Sequence, residues 1–195
     1  MKFTRIPESA FKELVLNAGY LATTFDPAAG TAPEESALLG ATTGGINFTA
    51  VPSFTDFGED IDNCPKNMKE LKRVDSWEAK IAGTFINADT KIAKSLCGAA
   101  DVGTSDGKVT PRNDLSDADF ADIWLVGDYS DKNGDKNGGF IAIHLMNALS
   151  TGGFQLKTSD KAKGQFAFEY TAHYSMSAQD TVPFEIYIKA GTAEA

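Results

Sequence analysis

The sequence predicts a mainly β protein: an antiparallel β-sandwich or barrel with one flanking α-helix. Three observations lead to this fold class. Several segments alternate apolar and polar side chains, as strands with one buried face do. Clusters of Gly, Asn, Asp and Ser separate these segments, as turns between antiparallel strands require. A single segment carries a helical pattern with both caps, and 195 residues fit one domain, 1–195.

The first half of the chain predicts two strands around a long loop. Residues 45–54 and 77–86 alternate in the manner of strands. The segment between them, 54–76, is polar, with acidic side chains in its first half and basic ones in its second. An insertion of this length without structure is usually functional or disordered. Residues 14–22 also alternate, which favours a strand preceded by a flexible N-terminal arm at 1–13.

The helix is expected at about residues 89–98. Asp89 is a good N-cap residue and Gly98 a good helix terminator. Between them lies an apolar stripe formed by Ile92, Ala93, Leu96 and Cys97.

Three strands are predicted in the second half. Residues 139–149 (GFIAIHLMNAL) are almost continuously apolar, which is typical of a strand covered on both faces. Residues 165–176 alternate. Their apolar face comprises Phe166, Phe168, Tyr170, Ala172, Tyr174 and Met176. The last strand is expected near 182–189, with one face formed by Val182, Phe184, Ile186 and Ile188.

Composition limits the classes of function. The net charge is −9, and residues 101–135 carry nine Asp. Such a chain does not bind nucleic acid by neutralising phosphates, although it can lie beside DNA without adhering to it. We find no apolar run long enough for a transmembrane helix and no export signal, and we expect Cys64 and Cys97 to be free thiols.

Four patterns suggest chemistry, and each is better explained as structure. Residues 131–142 begin like a calcium loop, but Lys136 and Ala142 occupy the positions that need Gly and Glu. The GTSDG stretch at 103–107 resembles a nucleophile elbow around Ser105, yet Pro111 argues against the helix that should follow. His144 and His173 lack a third metal ligand. The acidic cluster is interpreted as a solvated loop formed by Asp114, Asp117, Asp119 and Asp122. We therefore predict no enzyme activity, no metal and no cofactor.

The order of these segments resembles a known family. The phrases GGFIAIHLMNALSTGGFQ and KGQFAFEYTAHYS are the most distinctive, and the resemblance extends over about residues 11–191. The chain resembles a major tail protein, the tail-tube subunit of long non-contractile-tailed bacteriophages or prophages of Gram-positive bacteria. The resemblance implies hexameric rings that stack into a tube, through which DNA is delivered into the host. It also implies a virion location after synthesis and assembly in the host cytoplasm. The implied partners are further copies of the chain and the tape measure, tail terminator and tail-tip proteins, with no membrane and no sequence-specific DNA binding.

The same resemblance suggests two groups of site residues. The 54–76 loop would reach the adjacent ring, and the N-terminal arm would contact neighbours. The loop candidates are Phe57, Glu59, Asp60, Asp62, Lys66, Lys69, Lys72 and Arg73. The acidic half of this loop is expected to meet its basic half, or another charged patch, across the stack of rings. The lumen-facing acidic candidates are Asp128, Asp131 and Glu169.

Two alternative functions stay open at this point. One is an inner-tube subunit of a contractile tail or secretion system, which would share the fold. The other is a ligand-binding β-sandwich module on a phage particle, which would be a stable monomer with an exposed aromatic patch.

Overall fold

The structure is a computed structural model that describes residues 7, 10, 13–129 and 138–191. Ten strands and one α-helix lie within these residues. In chain order they are β1 Val15–Ala22, β2 Thr42–Asp56, β3 Lys72–Phe85, α1 Thr90–Cys97, β4 Ala100–Val102, β5 Val109–Pro111, β6 Ala121–Tyr129, β7 Gly139–Ser150, β8 Gln155–Lys157, β9 Gln165–Thr171 and β10 Phe184–Lys189. None of the helices in these ranges has the length and apolar character needed to cross a membrane.

Two antiparallel sheets share strand β7. One sheet has the order β1-β6-β7-β10, and the other contains β2, β3, β9 and β8. The first part of β7 pairs with β10, and its last residues, Leu149 and Ser150, pair with β9 instead. A separate two-stranded sheet joins β4 to β5. The predicted mainly β, antiparallel, sandwich-like fold is confirmed.

The main core lies between the two sheets and is closed by α1. Ile92 and Leu96 of α1 are buried against strand residues from both sheets. Asp89 accepts a hydrogen bond from the Ile92 amide at 2.7 Å, and Gly98 ends the helix at φ 76°. The predicted helix and both of its caps are confirmed.

A bulge in β1 corrects the predicted alternation of residues 14–22. Asn17 and Gly19 have φ values of 62° and 67°, and the pairing with β6 shifts between Leu16 and Tyr20. Consequently Leu21 and Ala22, which are neighbours in sequence, are both fully buried. The predicted arm at 1–13 lies almost entirely outside the described residues, as do the DKNG residues 131–137 and Asp131.

Two strands near the C-terminus are shorter than predicted. Strand β9 ends at Thr171, so the predicted face continues through Ala172 but not to Tyr174 or Met176, and Met176 is 90% exposed. Strand β10 begins at Phe184. On the predicted apolar face of β10, Phe184 packs against the main core, whereas Ile186 and Ile188 are exposed.

The predicted loop at 54–76 is also shorter. Strand β2 continues to Asp56 and β3 begins at Lys72, so the connecting loop spans only 57–71. The flanking residues pair as strands. They can be polar because neither face of this part of the sheet is buried. We call residues 51–78 the ribbon.

Candidate functional site

The ribbon extends beyond the rest of its sheet. Strand β9 pairs with β3 only from Lys80 to Phe85, whereas β2 and β3 pair continuously out to Asp56 and Lys72. Trp77 anchors the base of the ribbon: its ring packs edge-on against Phe184, and its amide donates to the Tyr174 hydroxyl at 2.9 Å. Beyond that anchor no third strand among the described residues pairs with the ribbon.

Apolar side chains on the ribbon are exposed. Phe54 and Val74 lie opposite each other across the two strands, next to a register shift at Ser53. In the loop, Phe57 and Ile61 are 56% and 52% exposed. A two-stranded hairpin is marginally stable in water by itself, and clustered exposed apolar groups mark interaction surfaces.

Asp56 orders the loop of the ribbon. Its carboxylate accepts hydrogen bonds from the amides of Gly58 at 2.9 Å and Asn67 at 2.8 Å. These two backbone hydrogen bonds are the main reason that the pKa of Asp56 is lowered. The Phe57 amide also donates to the Leu71 carbonyl at 3.0 Å, so the loop is held at its base and across its middle.

One ion pair joins the acidic and basic halves of the loop within the same chain, and the predicted meeting of these halves across a stack of rings stays a prediction. Lys66 lies 3.6 Å from Glu59, an exposed pair that joins the two halves. Lys69 instead contacts its neighbour Glu70 at 3.5 Å. The remaining charged candidates form no ion pair within the described ranges; they are Asp60, Asp62, Lys72 and Arg73. These charges are exposed, although the Lys72 ammonium donates a hydrogen bond to the Asn67 side chain at 3.0 Å and lies 5.3 Å from the centroid of the Phe54 ring.

The structure does not bring the predicted lumen candidates together. Asp128 lies on β6, where it accepts a hydrogen bond from Asn17 at 2.6 Å and lines an open cavity of about 730 Å³. Burial, and then the Asp128 carboxylate, raise the pKa of Tyr20 in the same cavity. Glu169 lies on β9 in the other sheet and accepts from Thr151. Asp131 falls outside the described residues.

The patterns that suggested chemistry occupy structural positions. Ser105 lies in the turn between β4 and β5, closed by a hydrogen bond from the Gly103 amide to the Lys108 carbonyl, and no helix follows. His144 stacks on Trp124 with ring centroids 4.0 Å apart. His173 lies two residues beyond the end of β9, not on the strand as predicted.

The interpretation of the acidic cluster as a solvated loop is wrong for Asp122, which lies on β6 and accepts a hydrogen bond from the Asn147 amide at 3.1 Å, and for Asp119. The Asp119 side chain is 1% exposed and accepts two hydrogen bonds from Arg112, at 2.6 and 2.8 Å. The Ser116 amide donates to the same carboxylate at 2.8 Å. No group of His, Cys, Asp or Glu within the described ranges is arranged to hold a metal ion.

The sequence-based candidates include Phe57 but miss the exposed apolar residues Phe54, Ile61 and Val74. Phe54 was placed at the end of a strand, and Val74 inside a loop. The available signal was weak: an apolar residue on each side of the charged run, spaced so that the two could face each other in a hairpin.

No protein-family model and no curated protein sequence matches this chain.

Proposed function

We propose that this chain is a self-assembling structural subunit that forms stacked rings, the tail tube of a long-tailed bacteriophage or prophage. In this proposal DNA passes through the tube, and the chain performs no catalysis. The resemblance described above suggests the particle. The support from the molecule itself comes from its unpaired surfaces.

The ribbon is the observation that carries the proposal. Its apolar residues Phe54, Phe57, Ile61 and Val74 are about half exposed, so they contribute little to the stability of an isolated subunit. In an assembly the same residues would be buried against a neighbouring ring. Burial is worth about 25 cal/mol per Å² of apolar surface, so covering them gives a substantial driving force.

Free strand edges add a second line of support. Strands β1, β2, β8 and β10 each pair with a single neighbouring strand among the described residues. Strand β2 is 15 residues long, and Pro52, which lacks an amide proton, interrupts the hydrogen-bonding groups along it. Long open edges favour pairing with other chains, and a closed ring removes that hazard.

Charge supports passage of DNA and not binding. The net charge of −9 makes any ring of these chains strongly acidic. An acidic tube repels phosphate, so DNA would slide through it. Asp128 and Glu169 remain candidates for the lumen surface under this proposal.

The test is negative-stain electron microscopy of the purified protein at increasing concentration, with mass photometry alongside. We expect rings or hollow tubes from the wild type. The variant Phe57→Ser/Ile61→Ser should keep the wild-type unfolding midpoint, because both side chains are already exposed, but should not form tubes.

Met176→Ser is the matched control. It removes a side chain that is more exposed than either ribbon residue and lies outside the ribbon, so tubes should form normally. A wild type that stays monomeric at every concentration, including in the presence of a tail-tip complex, would contradict the proposal. Normal tubes from the ribbon variant would show that these ribbon residues are not needed for assembly.

A further inference from the structure

The hairpin of β8 and β9 has a basic, apolar outer edge. Leu156 is 52% exposed on the short edge strand β8, and Phe154 beside it is exposed and tilted against Phe166 at 5.8 Å between ring centroids. Three lysines, Lys157, Lys161 and Lys163, follow within seven residues, with one acidic residue, Asp160, among them, so residues 154–163 carry a net charge of +2. All three are exposed, and none lies within 4.0 Å of a carboxylate of the described chain. We call residues 154–163 the basic edge.

A second surface has the opposite charge and the same design. Residues 113–118, which we call the acidic loop, present Leu115 with 56% exposure between Asp114 and Asp117. Neither of these two carboxylates takes part in a hydrogen bond or ion pair with another described residue.

Hydrogen bonds from Arg112 restrain the backbone of the acidic loop. The Arg112 guanidinium donates to the Asp114 carbonyl at 3.1 Å and to the Asp119 carboxylate on the far side of the loop. Ser116 and Asp119 close a reciprocal pair of hydrogen bonds within the loop. Leu115 is thus held outwards on a restrained backbone, which lowers the entropy cost of binding.

We propose that the basic edge of one copy of this chain docks on the acidic loop of a second copy. Each surface has an apolar centre and a charged rim, and the rims have opposite signs. A chain with a net charge of −9 repels its own copies. The basic edge is a place where approach to an acidic partner reduces that repulsion.

The docking is head-to-tail because the two surfaces are different. Such a contact leaves one basic edge and one acidic loop free on every dimer, so it continues until a ring closes or a filament grows. The inference rests on the proposed assembly function and assigns residues to one of its contacts. It uses none of the ribbon.

Reciprocal charge reversal tests the contact. The first variant is Lys157→Glu/Lys163→Glu, and the second is Asp114→Lys/Asp117→Lys. Each variant alone sets like charges against each other and should raise the concentration needed for association about tenfold. An equimolar mixture should restore association, because every contact between unlike chains again joins opposite charges.

The control is Lys91→Glu/Lys94→Glu on α1, which makes the same change in net charge as the first variant at residues outside both surfaces. Association is measured by sedimentation velocity, at low salt and at about 0.5 M salt, where the Debye length falls to about 4 Å. A carbodiimide that couples lysine to carboxylate, applied to mixed isotope-labelled chains, should join the basic edge of one chain to the acidic loop of another.

The outcomes separate this inference from the function on which it rests. If the mixture of the two variants associates like wild type, and the control variant also does, the contact between the basic edge and the acidic loop is supported. Wild-type association by each variant alone, or defects that persist after mixing, overturns the contact and leaves the tube proposal standing. A wild type that never associates overturns both.

Discussion

Gly19 is where the register of β1 depends on the absence of a side chain. A Cβ built there would lie 2.3 Å from the Val126 carbonyl oxygen on β6, and the φ of Gly19 is +67°. The bulge around it lets Leu21 and Ala22 both enter the core. We predict that Gly19→Ala loosens the pairing of β1 with β6.

The magnitude follows from two costs. A left-handed backbone costs a residue with a Cβ about 1–2 kcal/mol. The new methyl group must also move about 1 Å from the carbonyl oxygen to reach ordinary contact, and such overpacking costs about 1–3 kcal/mol. The expected loss is therefore about 2–5 kcal/mol, out of the roughly 5–15 kcal/mol typical of a domain.

Gly153→Ala separates the two costs. Gly153 has a φ of +70°, but nothing lies within 4 Å of a Cβ built on it. Its substitution should cost the backbone term alone, about 1–2 kcal/mol. Urea denaturation followed by tryptophan fluorescence measures both variants, since Trp124 lies on β6 close to the bulge. Equal losses in the two variants would refute the argument from close approach.

Two further predictions concern pH. Burial raises the pKa of Tyr170 from 10.0 to about 12, so its contribution to stability is complete below pH 10 and is lost as the pH rises through the folded value. Tyr170→Phe should lower the free energy of unfolding by about 1 kcal/mol at neutral pH, because it removes the 2.8 Å hydrogen bond with Ser95. As the pH rises into the alkaline range, the variant should lose less stability than wild type. An equal loss of stability in the two proteins would contradict this. The Ser116 amide, and then Arg112, lower the pKa of Asp119, so its contribution is present above the ordinary carboxyl pKa and is lost as the pH falls through the folded value. The variant Asp119→Asn should therefore be less stable than wild type at neutral pH. The difference in the free energy of unfolding between the two proteins should become smaller in acid. Urea midpoints at about pH 7 and about pH 3 measure it, and a constant difference would exclude the charge as its cause.

The strands that could be predicted are those whose side chains face the core. In β9, burial on one face requires Phe166, Phe168 and Tyr170 at alternate positions, so the pattern in the sequence records the environment directly. The helix could also be predicted from the sequence, because its caps, Asp89 and Gly98, act through local backbone hydrogen bonds and conformation.

The misread segments depend on contacts that no local pattern encodes. The outer part of the ribbon has no buried face, so its charged strands resembled a loop. In β1 the residues Asn17 and Gly19 adopt positive φ, which displaces the following residues from simple alternation. Asp119 is buried by a partner seven positions away, Arg112, on the far side of a loop whose shape was not predictable.

Under the proposed function, a core that is separate from the contact surfaces would let the subunit remain monomeric and still carry specific contacts. The main core is complete without the ribbon, the basic edge or the acidic loop, since none of their residues belongs to it. A net charge of −9 opposes indiscriminate association of the exposed apolar groups. In such an acidic chain a local basic surface mainly affects orientation, because it favours the approach that sets it against a carboxylate-rich loop. We therefore expect charge to determine which surfaces meet, and burial of Leu115, Leu156 and the ribbon to determine how strongly they hold.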